Sequence, residues 1–160
     1  MKISREELHT AEFRRAGTVV PDATKILRLE WEADVPSGHV VYLMIVDDEV
    51  KKAGKAEDTK SSTFTARMQS ELNTLRQVIS GPRPGRPPAR WRSRRLDPFK
   101  QHAPTAILKN LEVELWAKEQ PTRQNMMDEE DKLNDKYRGE WTKEGWTKDG
   151  RRRPTEGDAD

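Results

Sequence analysis

The sequence predicts an α+β fold in which a small three-stranded antiparallel sheet is flanked by helices, and three observations predict it. Val40 to Val46 is an unbroken β-rich apolar run, followed by an acidic turn and a second short stretch that can pair back on it. Phe64, Met68, Leu72, Leu75 and Ile79 recur at steps of four, four, three and four, the period of one helix face. Leu111, Val113 and Leu115 alternate with polar neighbours, as a further strand of the sheet does.

Ser4 and Glu7 have the spacing of a capping box, and Leu8 with Phe13 marks an amphipathic helix reaching as far as Gly17. Ile26, Leu27, Leu29 and Trp31 partly alternate with Arg28, Glu30 and Glu32, which predicts a half-exposed strand. Pro36-Ser37-Gly38 breaks the chain before Val40-Val46, which is too short for an ordinary helix and reads as a strand buried on both faces. Asp47-Asp48-Glu49 supplies a turn, and Val50 to Ala53 returns antiparallel, with Gly54 expected to end the strand.

The helix beginning at Phe64 stops at Gly81-Pro82. Residues 81–100 hold five of the ten prolines and seven basic side chains, opposed only by Asp97. The third strand lies within Ile107 to Lys118, and a second helix covers Arg123 to Tyr137. Arg151 to Asp160 has one alanine as its only aliphatic side chain and reads as a disordered tail. The organisation expected is a helix-and-strand extension over residues 1–35, a domain over 36–150 carrying the basic insertion at 81–100, and the tail at 151–160.

Composition narrows the function classes. Of the 160 residues, 32% are hydrophobic and 36% charged, so the core is small for the length. The absence of cysteine removes disulfides, thiolate metal sites and cysteine nucleophiles, and fits a reducing compartment. No apolar run approaches the ~20 residues of a membrane span, and the first residues lack a signal-peptide apolar region. These features predict a soluble protein of a bacterial or phage-infected cytoplasm with no membrane partner. Net charge is only +2, so a nucleic-acid partner is signalled by distribution, not by total. Arg83, Arg86, Arg90, Arg92, Arg94 and Arg95 cluster on a proline-extended arm, where they can displace counterions from a phosphate backbone while Trp91 stacks on a base. A solvated loop is the plain alternative for this arm.

Residues 38 to 67 carry a resemblance. Gly38-His39-Val40-Val41-Tyr42, then Lys52-Ala53-Gly54-Lys55-Ala56-Glu57-Asp58, then Arg67, resembles the opening of a GIY-YIG nuclease domain. In that family a two-strand hairpin is followed by a helix that presents an arginine to the scissile phosphate. Tyr42 matches the tyrosine of the first motif and Gly54 the glycine of the second, and GKAEDTK at 54–60 is similar to the bacterial excision-repair incision nucleases. The segment from Lys136, KYRGEWTKEGWTKDGRR, is similar to the end of the family's restriction-enzyme branch.

The resemblance also implies a helical glutamate that binds one metal ion, and two stand together. Met126, Glu130, Leu133, Tyr137 and Trp141 recur at helical steps, whereas Glu129 is turned about 100° away, so Glu130 is the inward-facing candidate. The activity that the resemblance implies is hydrolysis of DNA phosphodiesters. In it Tyr42, assisted by Lys52 or Lys55, orients the water or takes its proton; Arg67 stabilises charge on the phosphoryl oxygens; Glu130 binds Mg²⁺ or Mn²⁺. Double-strand cleavage by one such site needs a homodimer or two sequential nicks.

The departures are specific. Lys52 replaces the tyrosine of the second motif, Thr142 stands where an asparagine is expected, and Glu71 occupies the position, one turn after Arg67, where the family often has a histidine. They favour, as an alternative, a catalytically inactive nucleic-acid-binding module on the same fold. A structural or assembly protein with a basic docking arm is the third reading. Residue by residue, the non-catalytic options are a core tyrosine at 42, a solvated Arg67, surface charges at Lys52 and Lys55, and a Glu130 ion-paired with Arg123. His39 and His102 lack partners at metal-ligand spacing, and Trp116, Trp141 and Trp146 read as packing residues.

Overall fold

A computed structural model describes residues 2–57, 59, 63–80, 112–142, 151, 153 and 154. The basic arm at 81–100, with all its candidate DNA contacts, lies outside the described residues, as do His102, Trp146 and residues 155–160 of the tail.

The chain starts as expected and then departs. In α1 (Arg5–Thr10) the Ser4 hydroxyl accepts from the Glu7 amide at 3.1 Å while the Glu7 carboxylate accepts from the Ser4 amide, closing the capping box. The helix does not continue to Gly17. Glu12 turns into the left-handed region at φ 67°, and Arg14 opens a nine-residue strand, β1 (Arg14–Asp22). Thr18, Val19 and Val20 favour that outcome, since β-branched side chains pack well in a pleated sheet. The Asp22 carboxylate accepts from the Thr24 and Lys25 amides and tightens the turn into β2 (Ile26–Trp31). Gly17 allows the two strands to meet, because a Cβ there would lie 2.7 Å from the Glu30 carbonyl oxygen.

The sheet therefore has five strands, not three, in the order β2-β1-β5-β3-β4, with every neighbouring pair antiparallel. Residues 1–35, expected to be an extension, supply two strands of that sheet. Its centre is made by β5 (Val113–Gln120) and by β3 (His39–Val46), in which every residue after His39 is buried. β4 (Glu49–Ala56) is an edge strand and runs through Gly54 instead of ending there.

One residue in two faces each side of the sheet. Val40, Tyr42, Met44 and Val46 of β3 point to the side covered by α2 (Phe64–Ser80), whose Phe64, Met68, Leu72 and Leu75 are buried against them. Val41, Leu43 and Ile45 point to the other side, where α1 and α3 (Arg123–Tyr137) contribute Leu8, Met126, Leu133 and Tyr137. Thr63 and Thr122 cap α2 and α3 through their hydroxyls, which accept from the Ala66 and Asn125 amides.

The segment after α3 corrects one detail of the helical stripe. Arg138 ends the helix in the left-handed region, and Gly139 packs on the β4 backbone so closely that a Cβ would lie 2.3 Å from the Lys51 carbonyl oxygen. The Trp141 amide donates to that same carbonyl at 2.9 Å. Trp141 is thereby carried past the β4 edge into the core on the α2 side, away from Met126, Leu133 and Tyr137. Among the described residues no helix is long and apolar enough to cross a membrane.

Candidate active site

The site is built where β3, β4 and α2 meet at the edge of the sheet. Tyr42 and Gly54 are partners across the β3–β4 ladder, and Met44 and Lys52 are the next partners on the same face. A Cβ on Gly54 would lie 2.4 Å from both Cζ and the hydroxyl oxygen of Tyr42, so the phenol extends across β4 over the missing side chain. That is why a glycine is retained inside a strand. The Phe64 ring meets the phenol edge-on, with centroids 6.0 Å apart.

The phenol reaches a carboxylate from the helix above. Tyr42 donates its hydroxyl proton to Glu71 Oε1 at 3.1 Å, and Lys52 Nζ donates to the same oxygen at 2.6 Å. The Lys52 and Glu71 side chains are 24% and 13% exposed, so the pair is largely shielded but retains an opening to solvent. Residues separated by up to 29 positions are thus joined at one oxygen atom.

Burial pushes the Tyr42 phenol well above its ordinary value, and the charge and hydrogen bond of Glu71 add to the rise. Two more charges influence the same phenol. Arg67, exposed on the first turns of α2, opposes the shift, while Glu130, half-buried on α3, reinforces it. Tyr42 is a neutral hydrogen-bond donor in this arrangement.

Of the residues singled out in the sequence, Tyr42 and Lys52 share a direct partner, and Arg67 and Glu130 act on Tyr42 through their charge. Lys55 does not join them. It pairs with Val41, whose side chain lies in the opposite core, so alternation along β4 turns Lys55 away from the phenol. The two glutamates on α3 are separated as helical geometry requires: Glu129 accepts from Lys118 Nζ at 2.9 Å, away from Glu130. Arg123 pairs with Glu57 at 3.2 Å. His39 sits at the start of β3 with its Nδ1 buried, and Trp116 and Trp141 are packing residues, 4% and 3% exposed.

Glu71 is the residue that sequence reasoning misses, since it stands out there only as a departure from the motif. Its signal is nonetheless present: it directly precedes Leu72 of the apolar stripe, on a helix that packs over a strand carrying a lysine. Among the described residues no three His, Asp or Glu side chains gather as a cage for a metal ion. A single carboxylate completed by water and phosphate oxygens is still the ordinary donor set of Mg²⁺, and Glu130 fits that type of site.

The backbone has a known counterpart. A variant of EndoII from bacteriophage T4 matches with a TM-score of 0.53 at 14% identity, over 86% of this chain and 97% of that one. The fold is GIY-YIG-like. A structure of the restriction endonuclease HPY188I in complex with product DNA matches with a TM-score of 0.44 at 13% identity, over 74% of this chain and 62% of that one. No protein-family model and no curated protein matches the sequence. Within this fold the residues that resemble the motif lie on the β3–β4 hairpin, and Arg67 lies on α2.

Proposed function

We propose that the protein is a metal-dependent DNA endonuclease that hydrolyses phosphodiester bonds at the Tyr42 site. The observation that carries the reading is a buried phenol that donates to a carboxylate which a lysine also holds, with the charges of Arg67 and Glu130 acting on the same phenol, within a fold shared with a nuclease. A structural core has little use for a largely shielded lysine and carboxylate beside a buried tyrosine, since shielding those charges costs desolvation.

The roles rest on chemistry and position. The Tyr42 hydroxyl spends its proton on Glu71, which leaves its oxygen lone pairs free to accept from a water. Arg67, exposed on α2 with its charge acting on the phenol, supplies fixed positive charge where a phosphoryl oxygen gains negative charge in the transition state. Glu130 would bind Mg²⁺ or Mn²⁺, which supplies charge stabilisation for the departing oxygen. Lys52 orients the Glu71 carboxylate. The arginines at 83, 86, 90, 92, 94 and 95, with Trp91, are the proposed DNA-binding arm.

Nicking of supercoiled plasmid with Mg²⁺ or Mn²⁺ tests the proposal. Cleavage that EDTA abolishes, and that folded Arg67→Ala and Glu130→Ala proteins lack, is the expected result. A second reading is supported by Lys52 in place of the motif tyrosine: an inactive nucleic-acid-binding module. Salt-sensitive DNA binding with no cleavage of any substrate would favour it.

A further inference from the structure

A phenol that is itself a hydrogen-bond donor poses a question of proton inventory. If Tyr42 takes a proton from water while keeping its own, it becomes a cation; if it must first ionise, burial and two carboxylates oppose it. The geometry supplies a third route. Glu71 Oε1 is already the acceptor of the Tyr42 proton at 3.1 Å, and Lys52 anchors that oxygen from the other side at 2.6 Å.

We propose that Glu71 is a positioning residue that serves as the terminal proton acceptor of the site, so that Tyr42 relays a proton from water to carboxylate without becoming a free phenolate. The proposal rests on the nuclease reading and deepens it. In the step, a water O–H bond breaks and its proton binds the Tyr42 oxygen, as the original Tyr42 proton moves to Glu71 Oε1. The water oxygen's electron pair forms the new bond to phosphorus, and the bond to the departing nucleotide oxygen breaks. That oxygen takes a proton from solvent, and Glu71 later returns its own to solvent. The sum is one water added across one phosphodiester.

Three features favour this division of labour. The acceptor oxygen faces the phenol in the resting structure, within hydrogen-bond reach of its proton. Lys52 cannot serve as acceptor while its ammonium donates to that same oxygen. The groups acting on the phenol are Glu71 and Arg67 from α2 and Glu130 from α3, and Lys52 of β4 enters through Glu71, so the acceptor nearest the hydroxyl is Glu71.

The test is the pH dependence of plasmid cleavage by the full-length wild type, Glu71→Gln and Glu71→His proteins. Glutamine retains an oxygen that accepts from both Tyr42 and Lys52 but cannot take up a proton, so it separates relay from scaffolding. The relay requires kcat of Glu71→Gln to fall by about 100-fold or more with KM changed by less than about threefold. Imidazole restores a proton acceptor, so Glu71→His should regain at least about tenfold over glutamine, with the acid limb of its rate profile moved to higher pH than that of wild type.

Cleavage by Glu71→Gln within about threefold of wild type would overturn the relay and leave the nuclease reading standing. If the wild type cleaves no DNA, the nuclease reading falls and the relay with it. Should Glu71→Gln fail to fold, Glu71→His decides alone: activity with the shifted acid limb supports the relay, and inactivity or an unshifted limb overturns it.

Discussion

Tyr42 and Gly54 form one packing unit: they are partners across the β3–β4 ladder, and the phenol lies where a side chain on residue 54 would be. The match of the two motif positions in the sequence is therefore a packing relationship as well as a pattern. A Cβ 2.4 Å from the phenol Cζ forces the ring or the strand to move.

Gly54→Ala is accordingly expected to destabilise the protein by about 1–3 kcal/mol, the usual cost of overpacking a core. Denaturant unfolding of Gly54→Ala, Tyr42→Leu and the double variant checks this. Strong non-additivity, with the double variant less destabilised than the sum of the singles, is the signature of the clash. Additive effects would show that the ring and the strand edge are independent.

Alkaline pH should single out Tyr42. Below about pH 10 the phenol is neutral in the folded and unfolded chain alike, so its stabilising contribution is present in full. Above that value the unfolded chain releases the proton while the folded chain, whose phenol is held well above its ordinary range, retains it. Stability then falls by up to about 1.4 kcal/mol per pH unit until the folded phenol also ionises. Unfolding measured between about pH 9 and 11 should show a steeper loss for wild type than for Tyr42→Phe. Parallel curves would refute the assignment.

Lys52 and Glu71 should be coupled. Lys52→Met leaves a largely shielded carboxylate without its cation, at an expected cost of about 1–2 kcal/mol given the partial exposure of both groups. Adding Glu71→Gln to Lys52→Met should recover part of that loss, because no charge is then left unpaired. Thermal unfolding of the four proteins in the cycle measures the coupling, and a coupling near zero would mean that the 2.6 Å contact contributes nothing.

Arg67→Ala is expected to separate function from stability. The side chain is exposed, so unfolding free energy should change by no more than about 0.5 kcal/mol, while metal-dependent cleavage falls by about 100-fold or more. Loss of stability in parallel with activity would assign Arg67 a structural role instead. Glu130→Ala should likewise abolish cleavage, and excess Mg²⁺ should not restore it if that carboxylate is the metal's protein ligand.

Much of the architecture is written locally. β3, α2 and α3 are legible because a strand buried on both faces is apolar throughout, and a helix buried on one face repeats at three and four; the signal and the burial are the same physical fact. The start of β1 reads as the continuation of a helix because the capping box at Ser4 opens one and Leu8 with Phe13 gives it a weak apolar face, and only the left-handed turn at Glu12 and the pairing with β2 and β5 make a strand of Arg14–Asp22. Trp141 fits the stripe of α3 by spacing, yet the docking of Gly139 on Lys51 carries it to the opposite core.

The same division runs through the site. Sequence alone determined the hairpin, the helix that carries Arg67, and the different directions of Glu129 and Glu130 on α3, because each depends on residues a few positions apart. Tertiary structure alone decided that Lys52 and not Lys55 lies on the side of Tyr42, and that Glu71 is the atom-level meeting point of both donors. Strand register selects which side chains share a face, and helix docking selects which carboxylate stands over them. Both are settled by packing across the sheet, which no local pattern of residues specifies.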